Sequence, residues 1–203
     1  MKADQAVQAE AIAVTFAFYL RPSDTLGLRV EDVVPPPRGA RGAKRKWSLI
    51  LHPQECEIPS KVGLFDEAML LDNPEFMFLG KVLAARARTS PGGSPMFPVR
   101  HLAWAQSLAD AAARLGLQGR GKVPVLYQLR HGGASHEMLT GFRSLEALKR
   151  RGRWASDASV RRYEKGGRIG QVLSRLDTKL QDHCRRCAAQ IGKILAGSCL
   201  AWP

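Results

Sequence analysis

Between Tyr127 and Tyr163 the chain reads Tyr127-Gln-Leu-Arg130-His131-Gly-Gly-Ala-Ser-His136 and then, after a basic stretch, Gly152-Arg153-Trp154-Ala-Ser-Asp157-Ala-Ser-Val-Arg161-Arg162-Tyr163. An arginine stands beside small helix residues, and a tyrosine follows one helical segment later. The spacing predicts a helix over 127–140, a short one over 144–151 with Ser144 and Glu146 at its start, and a third over 156–165 with Ser156 and Asp157 as capping groups.

Working outward, His101 to Leu115 is alanine-rich and predicts a strong helix. Residues 89–95 form a Pro/Gly/Ser loop, and Pro74 to Arg88 returns to helical spacing. Lys46 to His52 alternates and suits a strand, and Gln54 to Leu71, broken by Pro59 and Gly63, reads as two or three more short strands. Residues 4–19 form an amphipathic helix, and Pro22 opens a second one just after Arg21. Pro35, Pro36 and Pro37 end that pattern, since three prolines fit neither a helix interior nor a central strand. Gly166 and Gly167 are expected to stop the helix that carries Tyr163. Residues 169–195 then read as one long helix with Val172, Leu173, Leu176, Leu180, Ile191 and Leu195 as its apolar stripe. The expected class is mainly α with a small antiparallel β-sheet.

The 203 residues carry 31 Lys and Arg against 18 Asp and Glu, a formal charge of +13. Such an excess points to a polyanionic partner, nucleic acid first. It is clustered over Arg38 to Lys46, Arg143 to Arg153 and Arg161 to Arg168, beside the runs quoted above. Arg38, Arg41, Lys44, Arg45, Lys46, Arg143, Arg151 and Arg153 are therefore the candidate DNA-binding residues. No run of about 18 apolar residues predicts a membrane span, and Met1 to Gln8 lacks the layout of a secretory signal, so an intracellular, soluble chain is expected. Cys56, Cys184, Cys187 and Cys199 are too few and too unevenly placed for a disulfide framework. His183-Cys184-Arg-Arg-Cys187 offers half of a zinc site without a second pair of ligands.

Taken with Leu20-Arg21-Pro22-Ser23-Asp24-Thr25-Leu26-Gly27-Leu28-Arg29, the quoted runs resemble the catalytic domain of the tyrosine recombinases, the phage-integrase family of DNA-breaking and rejoining enzymes. The resemblance covers 11–165. Cleaving a phosphodiester without a metal requires a nucleophile, cations on the non-bridging oxygens and an acid for the leaving alkoxide. The resemblance places Arg21 and Arg130 as the phosphate-binding arginines, Tyr163 as the nucleophile and Lys61 as the general acid in a β-hairpin turn, with Lys44 and Lys46 as fallbacks. Asp24 stands where the family has glutamate, a carboxylate one methylene shorter that holds its neighbours less closely. Tyr127 stands where the family has histidine, and a phenol there is no base near neutral pH. His131 is a supporting residue, and Trp154 holds the position nine before Tyr163 that the family gives to histidine or tryptophan.

The implied activity is site-specific DNA recombination or integration through a 3′-phosphotyrosine, with no metal or nucleotide cofactor, because arginine supplies the charge. Duplex DNA is the implied partner, with a homo-tetramer on two sites, in the nucleus of a eukaryote or the nucleoid of a prokaryote. The expected division is a catalytic domain over 1–168 and a C-terminal helix and tail over 169–203, without the N-terminal domain that clamps the other face of DNA. The alternatives are a decayed recombinase that holds DNA without cutting it and, as a minor enzyme reading, a type IB topoisomerase.

Overall fold

The structure is a computed structural model and describes residues 3–41, 46–60, 63–117, 123–164 and 166–195. Helix α1 (Ala3–Phe18) buries Ala11, Val14, Ala17 and Phe18, a stripe at three- and four-residue spacing. It stops where Tyr19 takes a left-handed φ of 52°. The short helix α2 (Pro22–Gly27) follows, with Pro22 in its first turn and the Arg21 N–H donating to Asp24 Oδ2 at 3.1 Å. The same device recurs at once, as Arg29 N–H donates to Asp32 Oδ2 at 2.7 Å ahead of a 3₁₀ turn at Val30–Asp32.

Strands β1 (Val33–Val34), β2 (Trp47–Leu51) and β3 (Glu67–Leu71) form an antiparallel sheet in that order. Leu49 lies opposite Met69 and Trp47 opposite Leu71, so Leu49, Leu51, Met69 and Leu71 share the buried face. Of the two or three short strands expected over 54–71, β3 is the one present among the described residues. A 3₁₀ turn at Gln54–Cys56 ends on Glu57 at φ 54°, and Asp66 at φ 53° starts β3. Neither conformation belongs to a strand. The loop is closed at its base by Asp66 N–H to the His52 carbonyl and by Gln54 N–H to Asp66 Oδ1.

Helices α3 (Phe78–Thr89), α4 (His101–Arg114), α5 (Tyr127–Leu139) and α6 (Leu145–Arg151) lie where the periodicity puts them. Ser144 caps α6 by accepting the Ala147 N–H. The helix expected over 156–165 is shorter: α7 (Asp157–Val160) gives way to a 3₁₀ turn at Arg161–Glu164. Ser156 and Asp157 do not cap it. Their side chains bond Ser159 and Lys149 instead.

The turn that carries Tyr163 ends at Glu164, ahead of Gly166 and Gly167, which open α8 (Gly166–Leu173). The single long helix over 169–195 is in fact α8 and α9 (Thr178–Leu195). Asp177 separates them by accepting the N–H groups of Lys179 and Leu180 on Oδ1, an N-cap arrangement. Of the apolar stripe, Leu180 and Leu195 are buried while Val172 and Leu173 face solvent.

The main core gathers Phe18, Leu20, Leu49, Leu71, Leu79, Leu83 and Trp104, with Leu195 and Ile191 of α9 closing it. A second cluster, Tyr19, Ala134, Leu148, Val160 and Tyr163, joins α5 to α6, α7 and the 161–164 turn. The two meet where α5 lies against α1. A Cβ on Gly133 would stand 1.9 Å from the Phe16 carbonyl oxygen, so only glycine permits this approach.

Candidate active site

The close approach of α5 to α1 fixes Arg130. It is 1% exposed, and its Nη1 donates to the Tyr19 carbonyl at 2.5 Å while Nη2 donates to the Gly152 carbonyl. Its guanidinium carbon lies 4.7 Å from the centre of the Trp154 ring, a cation–π contact. Nε is buried without a hydrogen-bond partner. Burial, then the neighbouring charges of Arg153 and Arg21, lower the Arg130 pKa to about 10, which still leaves it cationic at neutral pH.

Arg21 enters from the start of α2. Asp24 lies at the centre of this side: Oδ2 takes Arg153 Nη2 and stands 3.9 Å from Arg21 Nη1, and Oδ1 is 3.6 Å from His52 Nε2. The short carboxylate therefore grips Arg153 and holds Arg21 at longer range. Arg153 is secured from its other side by Glu67 at 3.1 Å.

Tyr163 sits in the 161–164 turn, 3% exposed, with its hydroxyl hydrogen-bonded to His131 Nδ1. Trp154 packs against both, its ring centre 5.2 Å from Tyr163 and 6.4 Å from His131, the latter pair stacked with nearly parallel planes at 15°. Tyr127, one turn before His131 on α5, meets the imidazole edge-on at 5.0 Å. Burial pushes the Tyr163 phenol up to about 12 against the pull of Arg162 and Arg130. Burial and the same two cations push His131 below its ordinary value, so the imidazole is neutral at physiological pH.

The structure thus brings together Arg21, Asp24, Arg130, His131, Trp154 and Tyr163, with Tyr127 at the rim. Lys61, Lys44 and Arg45 lie outside the described residues. Arg38 and Arg41 are exposed and Lys46 is half-buried.

Three arginines expected on a DNA-facing surface are placed inside the protein instead. Arg151 donates to the carbonyls of Leu70 and Ala17, both at 2.9 Å, tying α6 to β3 and α1. Arg143 pairs with Asp72 and Glu137, and Arg153 with Asp24 and Glu67. Exposed cations beside the nucleophile are Arg161 and Arg162.

Sequence reading did not single out Tyr19, His52, Asp72 or Glu137. Their roles come from contacts across the fold, such as Tyr19 hydroxyl to Glu137 and Asn73 Nδ2 to Glu137 at 2.8 Å, and no local spacing marks them. On α9, Cys187 Sγ lies 3.3 Å from His183 Nε2. Among the described residues no group of three His, Cys, Asp or Glu is placed to hold a metal ion, and no helix is long and apolar enough to cross a membrane.

A mainly helical domain with a three-stranded antiparallel sheet, arranged in this way, is a tyrosine-recombinase-like catalytic-domain fold. Among solved structures it is similar to the crystal structure of XerA recombinase, with a TM-score of 0.51 and 15% sequence identity over 87% of this chain. The match spans 65% of the XerA chain. No protein-family model matches the sequence, and a search of curated proteins gives no match.

Proposed function

We propose that the protein is a DNA-cleaving and rejoining enzyme of the tyrosine-recombinase type, in which Tyr163 attacks a phosphodiester of duplex DNA and holds the strand as a 3′-phosphotyrosine. The observation that carries this reading is the convergence of a buried arginine, an aromatic wall and a tyrosine already hydrogen-bonded to a neutral imidazole. Arg130 and Arg21 supply charge to the non-bridging oxygens as the pentacoordinate phosphate forms. Lys61 is assigned the protonation of the leaving 5′-oxygen. The catalytic unit is taken as 1–168, with 169–203 as an attached helical segment and assembly as a tetramer on two DNA sites. The test is covalent trapping: nicked duplexes are incubated with the protein, denatured and scored for DNA attached to the polypeptide. An adduct in the parent and none in Tyr163→Phe is the expected result, and DNA binding without any adduct overturns it.

A second reading, a recombinase remnant that binds DNA without cutting it, draws on one observation. Both Nη groups of Arg130 are committed to main-chain carbonyls, so its fork faces protein where a phosphate oxygen is needed. The trapping experiment separates the two.

A further inference from the structure

We infer that His131 is the group that takes the proton from Tyr163, occupying the place one helical turn beyond Tyr127. The inference rests on the proposed cleavage by Tyr163 and adds the base that this reaction needs.

A phenol that attacks phosphorus must lose its proton, and a phenol held near 12 does not lose it to water at neutral pH. The charged, titratable and aromatic groups around His131 are few. Arg130 and Tyr127 come from α5, Trp154 from the turn after α6, and Arg162 and Tyr163 from the 161–164 turn. The two arginines are donors only, the indole has no acceptor lone pair, and Tyr127 is a phenol like the nucleophile itself. Among the described residues the imidazole is the base in contact with the reacting oxygen.

Its orientation is fixed from two sides, by Trp154 stacked on its face and Tyr127 against its edge. In the tautomer with the ring proton on Nε2, Nδ1 is the acceptor that faces the phenol, and this is the form we assign. Burial first, then Arg162 and Arg130, disfavours a cationic imidazole in the resting state, so the acceptor stays empty until the phenol proton arrives. Residues 127 and 131 lie four apart on one face of α5, and Tyr127 at the first position cannot serve as a base.

In the forward step the phenol proton moves to Nδ1, the phenolate oxygen forms a bond to phosphorus, and the bond from phosphorus to the 5′-oxygen breaks. That oxygen leaves with the electron pair and takes a proton from the acid assigned to Lys61. On rejoining, the group assigned to Lys61 takes back the 5′-hydroxyl proton as that oxygen bonds to phosphorus, the bond from phosphorus to the Tyr163 oxygen breaks, and the imidazolium returns its proton to the departing phenolate.

The test is adduct formation on nicked duplexes by the full chain as a function of pH, comparing the parent with His131→Gln and His131→Ala. The glutamine keeps a hydrogen-bond acceptor for the Tyr163 hydroxyl but cannot take the proton. Expected are a near-native fold and DNA affinity for His131→Gln with adduct formation slowed about 10²–10⁴-fold. The parent rate should rise with pH through the imidazole titration, a rise missing from His131→Gln, and added imidazole should restore part of the rate in His131→Ala. Parent-like rates in His131→Gln, or the same pH profile in both proteins, overturn the assignment while leaving the nucleophile in place. Failure of the parent itself to form an adduct overturns the proposed function, and this inference with it.

Discussion

Tyr19 and Glu137 are joined across the fold by a buried hydrogen bond, and Tyr19 reaches the helix of Glu137 a second time through its own carbonyl, which Arg130 grips at 2.5 Å. One residue in a left-handed conformation therefore registers α1 against α5, two residues ahead of Arg21. Replacing Tyr19 with Phe removes the hydroxyl and leaves the Glu137 carboxylate to Arg143 and Asn73 alone. A loss of about 1–3 kcal/mol is expected in denaturant unfolding, the cost of stripping a partner from a buried polar group. Adduct formation should fall no further than unfolding explains, because phenylalanine keeps the main-chain carbonyl that Arg130 grips.

Gly133→Ala tests the approach of the two helices. The added methyl would meet the Phe16 carbonyl and the Tyr19 ring, and main chain cannot swing aside. About 1–3 kcal/mol of destabilisation is expected from overpacking, read as a lower midpoint in thermal unfolding. Gly167→Ala, which meets nothing within 4 Å, should leave the midpoint unchanged.

The basic residues divide into struts within the fold and cations left at the surface. Arg151→Ala removes the link from α6 to the carbonyls of Leu70 and Ala17, while Asp72 keeps Arg143, so a loss of about 1–3 kcal/mol in stability is expected. Arg162→Ala should leave stability intact and weaken duplex binding, with the salt-dependence slope of affinity reduced by about 1. Equal effects of the two changes on stability contradict this division.

Alkaline pH should unfold the chain through its buried phenols. Tyr163 is raised from an ordinary 10.0 to about 12, and Tyr19 is raised as well, by burial and by Glu137. The folded state therefore retains phenol protons that the unfolded chain releases. Stability is complete below pH 10 and declines as pH climbs toward 12. Phenolate absorbance followed together with circular dichroism should show ionisation coincident with unfolding, and Tyr163→Phe should shift the transition upward.

The helices and the sheet were readable wherever a single period governed burial, as in α1, α4 and α5. The reading failed where a side chain competed for backbone groups. Asp177 split the long C-terminal helix, and the residues at positive φ around 57 and 66 removed strands from the loop after β2. Within the candidate site, Arg21, Arg130, Trp154 and Tyr163, which the fold brings together, were singled out because the family resemblance rests on short motifs that contain them. Tyr19, His52 and Glu137 were not, because what makes them matter is an approach between segments more than 100 residues apart in the case of Tyr19 and Glu137. Arg143, Arg151 and Arg153 were sorted by charge alone, and sequence does not reveal which cations a fold keeps for itself.

Those interior ion pairs also bear on how the molecule looks from a distance. Among the described residues the carboxylates of Glu10, Asp24, Asp32 and Glu137 are drawn inside together with the guanidiniums of Arg130, Arg143, Arg151 and Arg153. Folding thus withdraws negative and positive charge in equal measure from the solvent boundary. The formal +13 stays on the skin of the protein, and its counterion cloud is rich in anions. An incoming polyanion displaces that cloud, so encounter rates with nucleic acid should depend steeply on ionic strength even before any one side chain touches a phosphate.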